Sequence, residues 1–166
     1  VWKLAQSPHV TRMWCAPGNA GIAQERLAKN SSPVECIALG AEDLPGLLKF
    51  AQEQRPDLVV VGPDNPLALG IEDLFQKHGL RIWGPNRRAA QFESSKVFSQ
   101  EFMQKHGIPT AAAGMFEDAA AAKRFCATLG GKCVVKADGL ALGKGVLMCA
   151  TQAEAERAVD EIMVGK

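Results

Sequence analysis

Apolar residues in this chain follow two rhythms. Short unbroken runs, "TRMWCAP", "VECIAL", "DLVVVGP" and "LRIWGP", predict strands, and "DLVVVGP" is of the kind that a parallel sheet buries on both faces. Between them the spacing turns helical. Leu44, Leu47, Leu48 and Ala51 recur at i, i+3, i+4 and i+7, and Asn65-Pro66 forms a cap and first-turn pair ahead of Leu67, Ile71, Leu74, Phe75 and His78. Strands that alternate with helices predict a doubly wound α/β domain over residues 1–92, with a parallel sheet joined by right-handed crossovers. Such a sheet takes its ligands beyond the carboxyl ends of its strands.

The pattern changes at Glu93. "SSKVFSQEFMQKHGIP" predicts a connecting helix within 93–112, with Ser94 as cap, Phe98 and Phe102 on one face, Gly107 as terminator and Pro109 just beyond. "FEDAAAAKRFCATLGG" then predicts a capped helix ending at Gly130-Gly131. A strand at 133–137, a glycine-rich loop, a strand at 145–150 and a last helix follow. That helix is opened by a Thr151/Glu154 capping box and carries Ala155, Ala158, Val159 and Ile162 on one stripe. Residues 113–166 therefore read as a small α+β unit. The chain opens on "VWKLAQSP", a helical pattern with Val1, Leu4 and Ala5 on one face and no cap ahead of it, and the last helical stripe runs into the final residue. The expectation is a piece of a longer protein.

Composition narrows the classes of function. At 166 residues and 47% apolar the chain can bury a sizeable core. Its 19 basic and 18 acidic residues are interspersed and leave a net charge of +1, so there is no electrostatic footprint for nucleic acid or an anionic membrane. No apolar run approaches the roughly 18 residues of a membrane span, and no charged-then-apolar leader opens the sequence. A soluble, cytoplasmic protein with small-molecule or protein partners is expected. Five cysteines, odd in number and without C-x-x-C spacing, read as reduced thiols within apolar runs.

Two features carry candidate chemistry. Three strand exits, "CAPGNAG", "VVVGPDNPLALG" and "IWGPN", leave through Pro and Gly with Asn close behind. Singly each is ordinary turn chemistry; together they would ring one sheet edge with backbone open to a small polar ligand. The second feature is "KCVVKADGLALGKGVLMCA". Its Gly143-Lys144 pair suggests phosphate, but a P-loop needs a glycine five residues before the glycine of that pair, with four residues between, and Ser or Thr after the lysine. Here Asp138 stands five residues before Gly143, and Gly145 follows Lys144. The loop also joins two strands, so no helix N-terminus is available to it. Gly139, Gly143 and Gly145 free the backbone to approach an anion, Lys144 adds charge, Asp138 favours the turn and Lys136 shares a strand face with Val134. These suit a mobile flap over polyphosphate, while a solvated edge lysine and a plain flexible hairpin remain open as the alternatives. His9, His78 and His106 sit near helix ends or turns and read as solvated or capping groups. No G-x-G-x-x-G follows a strand, which weakens a dinucleotide-binding reading.

"VVKADGLALGKGV" resembles the lid signature of the ATP-grasp ligases, and within them of the phosphoribosylamine–glycine ligases. "WKLAQSPHV", "APGNAG", "DLVVVGPDNPLALGI", "WGPNRRAAQFESSK" and "FMQKHGIPTA" extend the likeness in order along the whole chain. The resemblance implies a Rossmann-like N-terminal domain followed by the start of an ATP-grasp domain. It implies that Lys96 and Lys136 point at ATP phosphates, Lys136 also near the adenine, and that Gly139, Gly143, Lys144 and Gly145 form the flap over the β- and γ-phosphates. Gly18, Asn19, Gly62, Pro63 and Asp64 would line the phosphoribosylamine pocket.

The implied reaction joins glycine to phosphoribosylamine through glycyl phosphate in purine synthesis, with ATP and magnesium, or manganese in its place. The magnesium and glycine ligands are expected outside this chain, which alone is expected to be inactive. Fusion to, or association with, other purine enzymes is also in the family's range. Asp64 stands where these ligases usually carry Glu, and Cys133 where Pro or an aliphatic residue is commoner. A biotin- or purine-type carboxylase of the same superfamily, or an inactive nucleotide-binding module, are the rival readings.

Overall fold

The computed structural model describes residues 1–141 and 145–165. It divides into two compact units, Val1–Arg87 and Arg88–Lys166.

The first unit alternates helix and strand: α1 (Trp2–Ala5), β1 (Trp14–Cys15), α2 (Ala20–Gln24), β2 (Glu35–Cys36), α3 (Leu44–Gln54), β3 (Val59–Val60), α4 (Asp64–Leu69), α5 (Ile71–Lys77) and β4 (Ile82–Trp83). The expected α/β class is found, with parallel pairing of β1 with β2 and of β3 with β4. The strands are shorter than the apolar runs, and the described residues form two separate two-stranded ladders where one continuous sheet was expected. Among the described residues, one face of the run at 58–61 is left largely uncovered. Val61 is buried at 8% exposure, but Leu58 and Val60 are exposed at 54% and 41%. A strand hides both faces only when layers pack on each.

Two helices depart from expectation. The stretch 65–78 is divided by Gly70, whose φ of +93° ends α4 and opens α5. Asn65 is not its cap: α4 starts at Asp64 after Pro63, and the Asn65 amide instead donates to Glu42 Oε1 at 2.5 Å. In α1 Ala5 is buried, whereas Val1 and Leu4 remain exposed, so that face is only partly covered. The core of this unit includes Ala5, Leu27 and Val34 with Met13, Cys15 and Ile22 around them. Phe75 of α5 is 2% exposed, and α5 lies against α3 and β4.

The second unit contains α6 (Arg87–Ser94, shared with the first at its opening residue), α7 (Lys96–Lys105), α8 (Ala119–Thr128), β5 (Cys133–Lys136), β6 (Val146–Cys149) and α9 (Gln152–Met163). The capping serine of α7 is Ser95 and not Ser94, because Ser95 Oγ accepts from Phe98 N at 3.1 Å. Phe98 and Phe102 stack as the spacing predicts, with Phe92 edge-on to both. Strands β5 and β6 form an antiparallel hairpin in the register Cys133↔Cys149 to Lys136↔Val146. Its inner face, with α8 and α9, encloses Ala122, Cys126, Ala155 and Val159. At α9 Thr151 Oγ1 accepts from Glu154 N, while Glu154 Oε2 reaches back to Ala150 N at 2.8 Å, one residue earlier than the cap itself. Gly131 (φ +74°) lets the end of α8 meet the start of α9, since a Cβ there would lie 2.1 Å from Gln152 N.

Candidate functional site

The site is built on the β5–β6 hairpin. Alternation along β5 turns Cys133 and Val135 towards the helices and leaves Val134 and Lys136 outside. Across the ladder Val146 and Met148 stand opposite them, Met148 at 86% exposure. The outer face is thus an apolar strip with one ammonium, and among the described residues no hydrogen bond engages that ammonium. Ala137 N donates to Gly145 O at 2.8 Å and closes the ladder at the mouth of the loop. Gly145 is required there, because a Cβ would come within 2.7 Å of Ala141 Cβ, and Gly139 takes φ +101°. Gly143 and Lys144 lie outside the described residues.

The base of the loop is tied to α7. Asp138 Oδ1 accepts from Lys96 N at 2.6 Å and Val97 N at 3.2 Å, and Asp138 Oδ2 accepts from Ser95 Oγ at 3.1 Å. Lys96 Nζ, half-buried, donates to Gly139 O at 2.7 Å. Desolvation alone would raise the Asp138 carboxyl, but the donors at Val97, Ser95, Lys96 and Gly139 outweigh it and hold the group below the ordinary aspartate value. Lys96 and the start of the loop therefore meet, through Lys96 N to Asp138 Oδ1 and Lys96 Nζ to Gly139 O.

The other candidates sit at the carboxyl ends of parallel strands on separate ladders. After β1, Gly18 has φ +74° and leaves no room for a side chain beside Cys36 Sγ. Asn19 Oδ1 accepts from Ile22 N at 2.9 Å and so caps α2, which supplies the bland account of "GN". After β3, Gly62, Pro63 and Asp64 are exposed, with Pro63 as the cap residue and Asp64 in the first turn of α4.

The remaining polar candidates have local partners. His78 Nδ1 lies 2.9 Å from Leu74 O, and His106 packs on Phe102. The thiols are free; Cys126 Sγ and Cys133 Sγ lie 3.8 Å apart at the core of the second unit, where desolvation first and the Cys126 thiol second raise Cys133. Among the described residues no group of three or more His, Cys, Asp or Glu could hold a metal ion. No helix among those residues is long and apolar enough to cross a membrane.

Comparison with known proteins agrees along the whole length. The family model described as phosphoribosylglycinamide synthetase, N domain, matches residues 1–93, and that described as phosphoribosylglycinamide synthetase, ATP-grasp (A) domain, matches residues 94–166. The chain belongs to the phosphoribosylglycinamide synthetase family. Among its relatives, phosphoribosylamine–glycine ligases of Salmonella typhimurium and Xanthomonas axonopodis pv. citri are 45% and 47% identical over 165 residues, 99% of this chain. The chain spans 37% of the length of these relatives. The crystal structure of the phosphoribosylamine–glycine ligase of Thermotoga maritima superposes with a TM-score of 0.69 at 24% identity, over 99% of this chain and 36% of that one. A biotin carboxylase domain of Hydrogenobacter thermophilus 2-oxoglutarate carboxylase, solved with MgADP, ADP and bicarbonate, reaches 0.65 at 21% identity, covering 87% of this chain and 35% of its own. These structural likenesses show the shared fold.

Sequence reasoning gave Asp138 only a turn role and missed that it receives the first amides of α7. The signal was weak, since an acceptor 42 residues from the donor leaves no spacing rule to detect. The cap was expected at Ser94, and the helix start places it one residue later, at Ser95.

Proposed function

We propose that the complete protein to which this chain corresponds joins glycine to phosphoribosylamine at the expense of ATP, forming glycinamide ribonucleotide, ADP and phosphate for purine synthesis. The observation that carries this reading is the meeting of Lys96 with the base of the glycine-rich loop, Nζ to Gly139 O at 2.7 Å, in a chain 45% identical throughout to phosphoribosylamine–glycine ligases. A glycine carboxylate oxygen attacks the γ-phosphorus, the bond to the bridging oxygen breaks and ADP leaves. The amine nitrogen of phosphoribosylamine then attacks the carbonyl carbon of glycyl phosphate and expels phosphate. Neither step needs a strong base; both need orientation and neutralised charge.

In this reading Lys96 and Lys136 bind the triphosphate, and the exposed strip of Val134, Val146 and Met148 offers the adenine an apolar surface beside Lys136. Gly139, Gly143, Lys144 and Gly145 cover the β- and γ-phosphates and keep water from the acyl phosphate. Gly18, Asn19, Gly62, Pro63 and Asp64 receive phosphoribosylamine through backbone groups at the strand ends. Magnesium, or manganese in its place, accompanies the nucleotide on ligands that the described residues do not supply. The enzyme works in the cytoplasm, alone or joined to other enzymes of the pathway.

The test is ADP release by the intact gene product with MgATP. Release that requires both glycine and freshly made phosphoribosylamine supports the ligase. Release that instead requires bicarbonate and biotin, or bicarbonate and aminoimidazole ribonucleotide, moves the protein to the carboxylase branch, and no release with any set leaves an inactive nucleotide-binding module.

A further inference from the structure

Helix α7 starts with an unusual division of labour. Its first three amides belong to Lys96, Val97 and Phe98, and an isolated helix would leave all three without partners. Ser95 Oγ takes the third, at 3.1 Å, as an ordinary cap does. The first two go to Asp138, at 2.6 and 3.2 Å, on the loop that follows β5. The same carboxylate accepts the Ser95 hydroxyl, and the next residue's carbonyl, Gly139 O, receives Lys96 Nζ. Two consecutive loop residues thereby hold the backbone, the cap and the side-chain ammonium at one helix start. Phe98 and Phe102 of α7 meet Phe92, but no residue of α7 is fully buried, so charged hydrogen bonds add to that apolar contact in fixing the helix start.

We propose that Asp138 is a positioning residue that couples the Asp138-Gly139 base of the glycine-rich loop to α7, so that the Lys96 ammonium and that base meet a nucleotide as one unit. This rests on the ATP-binding reading above and adds to it a residue that acts through Lys96 and the helix start. A plain cap would stabilise the helix and leave nucleotide affinity alone. A coupling group sets where Lys96 stands relative to the loop, and a small displacement there is felt in phosphate binding. Asn at 138 retains a carbonyl oxygen that can accept the amides of Lys96 and Val97, whereas Ala retains nothing.

The experiment compares the intact gene product with its Asp138→Ala and Asp138→Asn variants by amide hydrogen exchange, with and without ADP, and by steady-state kinetics. Coupling predicts that Asp138→Ala removes protection at residues 96–97 and raises KM for ATP about tenfold, while KM for glycine stays within about twofold. Asp138→Asn should return both most of the way. Unchanged exchange at 96–97, an unchanged KM for ATP, or a parallel rise in both KM values would each overturn the proposal. If the unmodified protein releases no ADP with glycine and phosphoribosylamine, the ligase reading has failed instead. Exchange then still decides the coupling: ADP-induced protection of residues 96–97 and 138–139 that Asp138→Ala abolishes supports it, and protection that survives the substitution refutes it.

Discussion

Lys136 carries its charge on an exposed strand face, and removing it should leave the fold nearly untouched while removing a proposed phosphate ligand. Lys136→Ala in the intact gene product is expected to lower kcat/KM for ATP by about 10²–10³-fold with Tm essentially unchanged, checked by coupled ADP assay and thermal melting. Gly131 shows the opposite profile. Its φ is positive, and a methyl group on its Cα would stand 2.1 Å from Gln152 N, so Ala has no place there. Gly131→Ala should therefore destabilise the second unit by about 2 kcal/mol or more, read from the denaturation midpoint. Glycines of this kind are legible as helix terminators from "LGG" alone, but the neighbour that forbids a side chain, the start of α9, is known only once the fold is. The two lysines became candidates by resemblance alone, since neither strand nor helix periodicity distinguishes a ligand lysine from a solvated one.

At the scale of elements, capping and periodicity foretold α8, the hairpin and α9 closely, because each of these is stabilised by local chemistry that spacing records. Thr151→Ala should accordingly cost about 1 kcal/mol through the lost acceptor for Glu154 N, measured by urea unfolding of the second unit's signal. The split of α4 from α5 was less legible: an isolated Gly inside a helical pattern is often tolerated, and only the observed φ at Gly70 makes it a break. The tie between α7 and the loop also has a pH signature. Asp138 sits below the ordinary aspartate value of about 3.9 when folded, so its contribution is present above that value and is lost as pH falls through the lower folded one. The Lys96 ammonium lies beside this loop base, donating to Gly139 O, the carbonyl of the next residue. Amide exchange at 96–97, corrected for intrinsic rates, should accelerate below the ordinary aspartate value and not above it, and acceleration already near neutral pH would contradict this account.

The whole molecule is two units, each with its own core, and the alternation of strands and helices made the α/β character of the first plain in advance. What the alternation could not reveal is the pairing of β1 with β2 and of β3 with β4 in separate ladders, for an apolar run records a wish to be covered and not which layer covers it. The first unit accordingly shows Leu58, Val60 and Trp83 at 54%, 41% and 65% exposure. A 166-residue chain prepared by itself should bind a hydrophobic dye such as ANS and give tryptophan emission dominated by solvated indole from Trp2 and Trp83. Dye-negative behaviour with blue-shifted emission would mean that this surface is covered in solution.

Met148 offers a way to watch the hairpin without altering it. A thioether at 86% exposure is an easy target for peroxide, and oxidation to the sulfoxide adds a mass that a peptide map reads directly. The sulfur shares its face with Lys136, so a nucleotide lying there shields it, while Met115, exposed but on a different segment, serves as the internal standard. Slower oxidation of Met148 relative to Met115 when ADP is present would turn one side chain into a chemical footprint of the adenine's resting place.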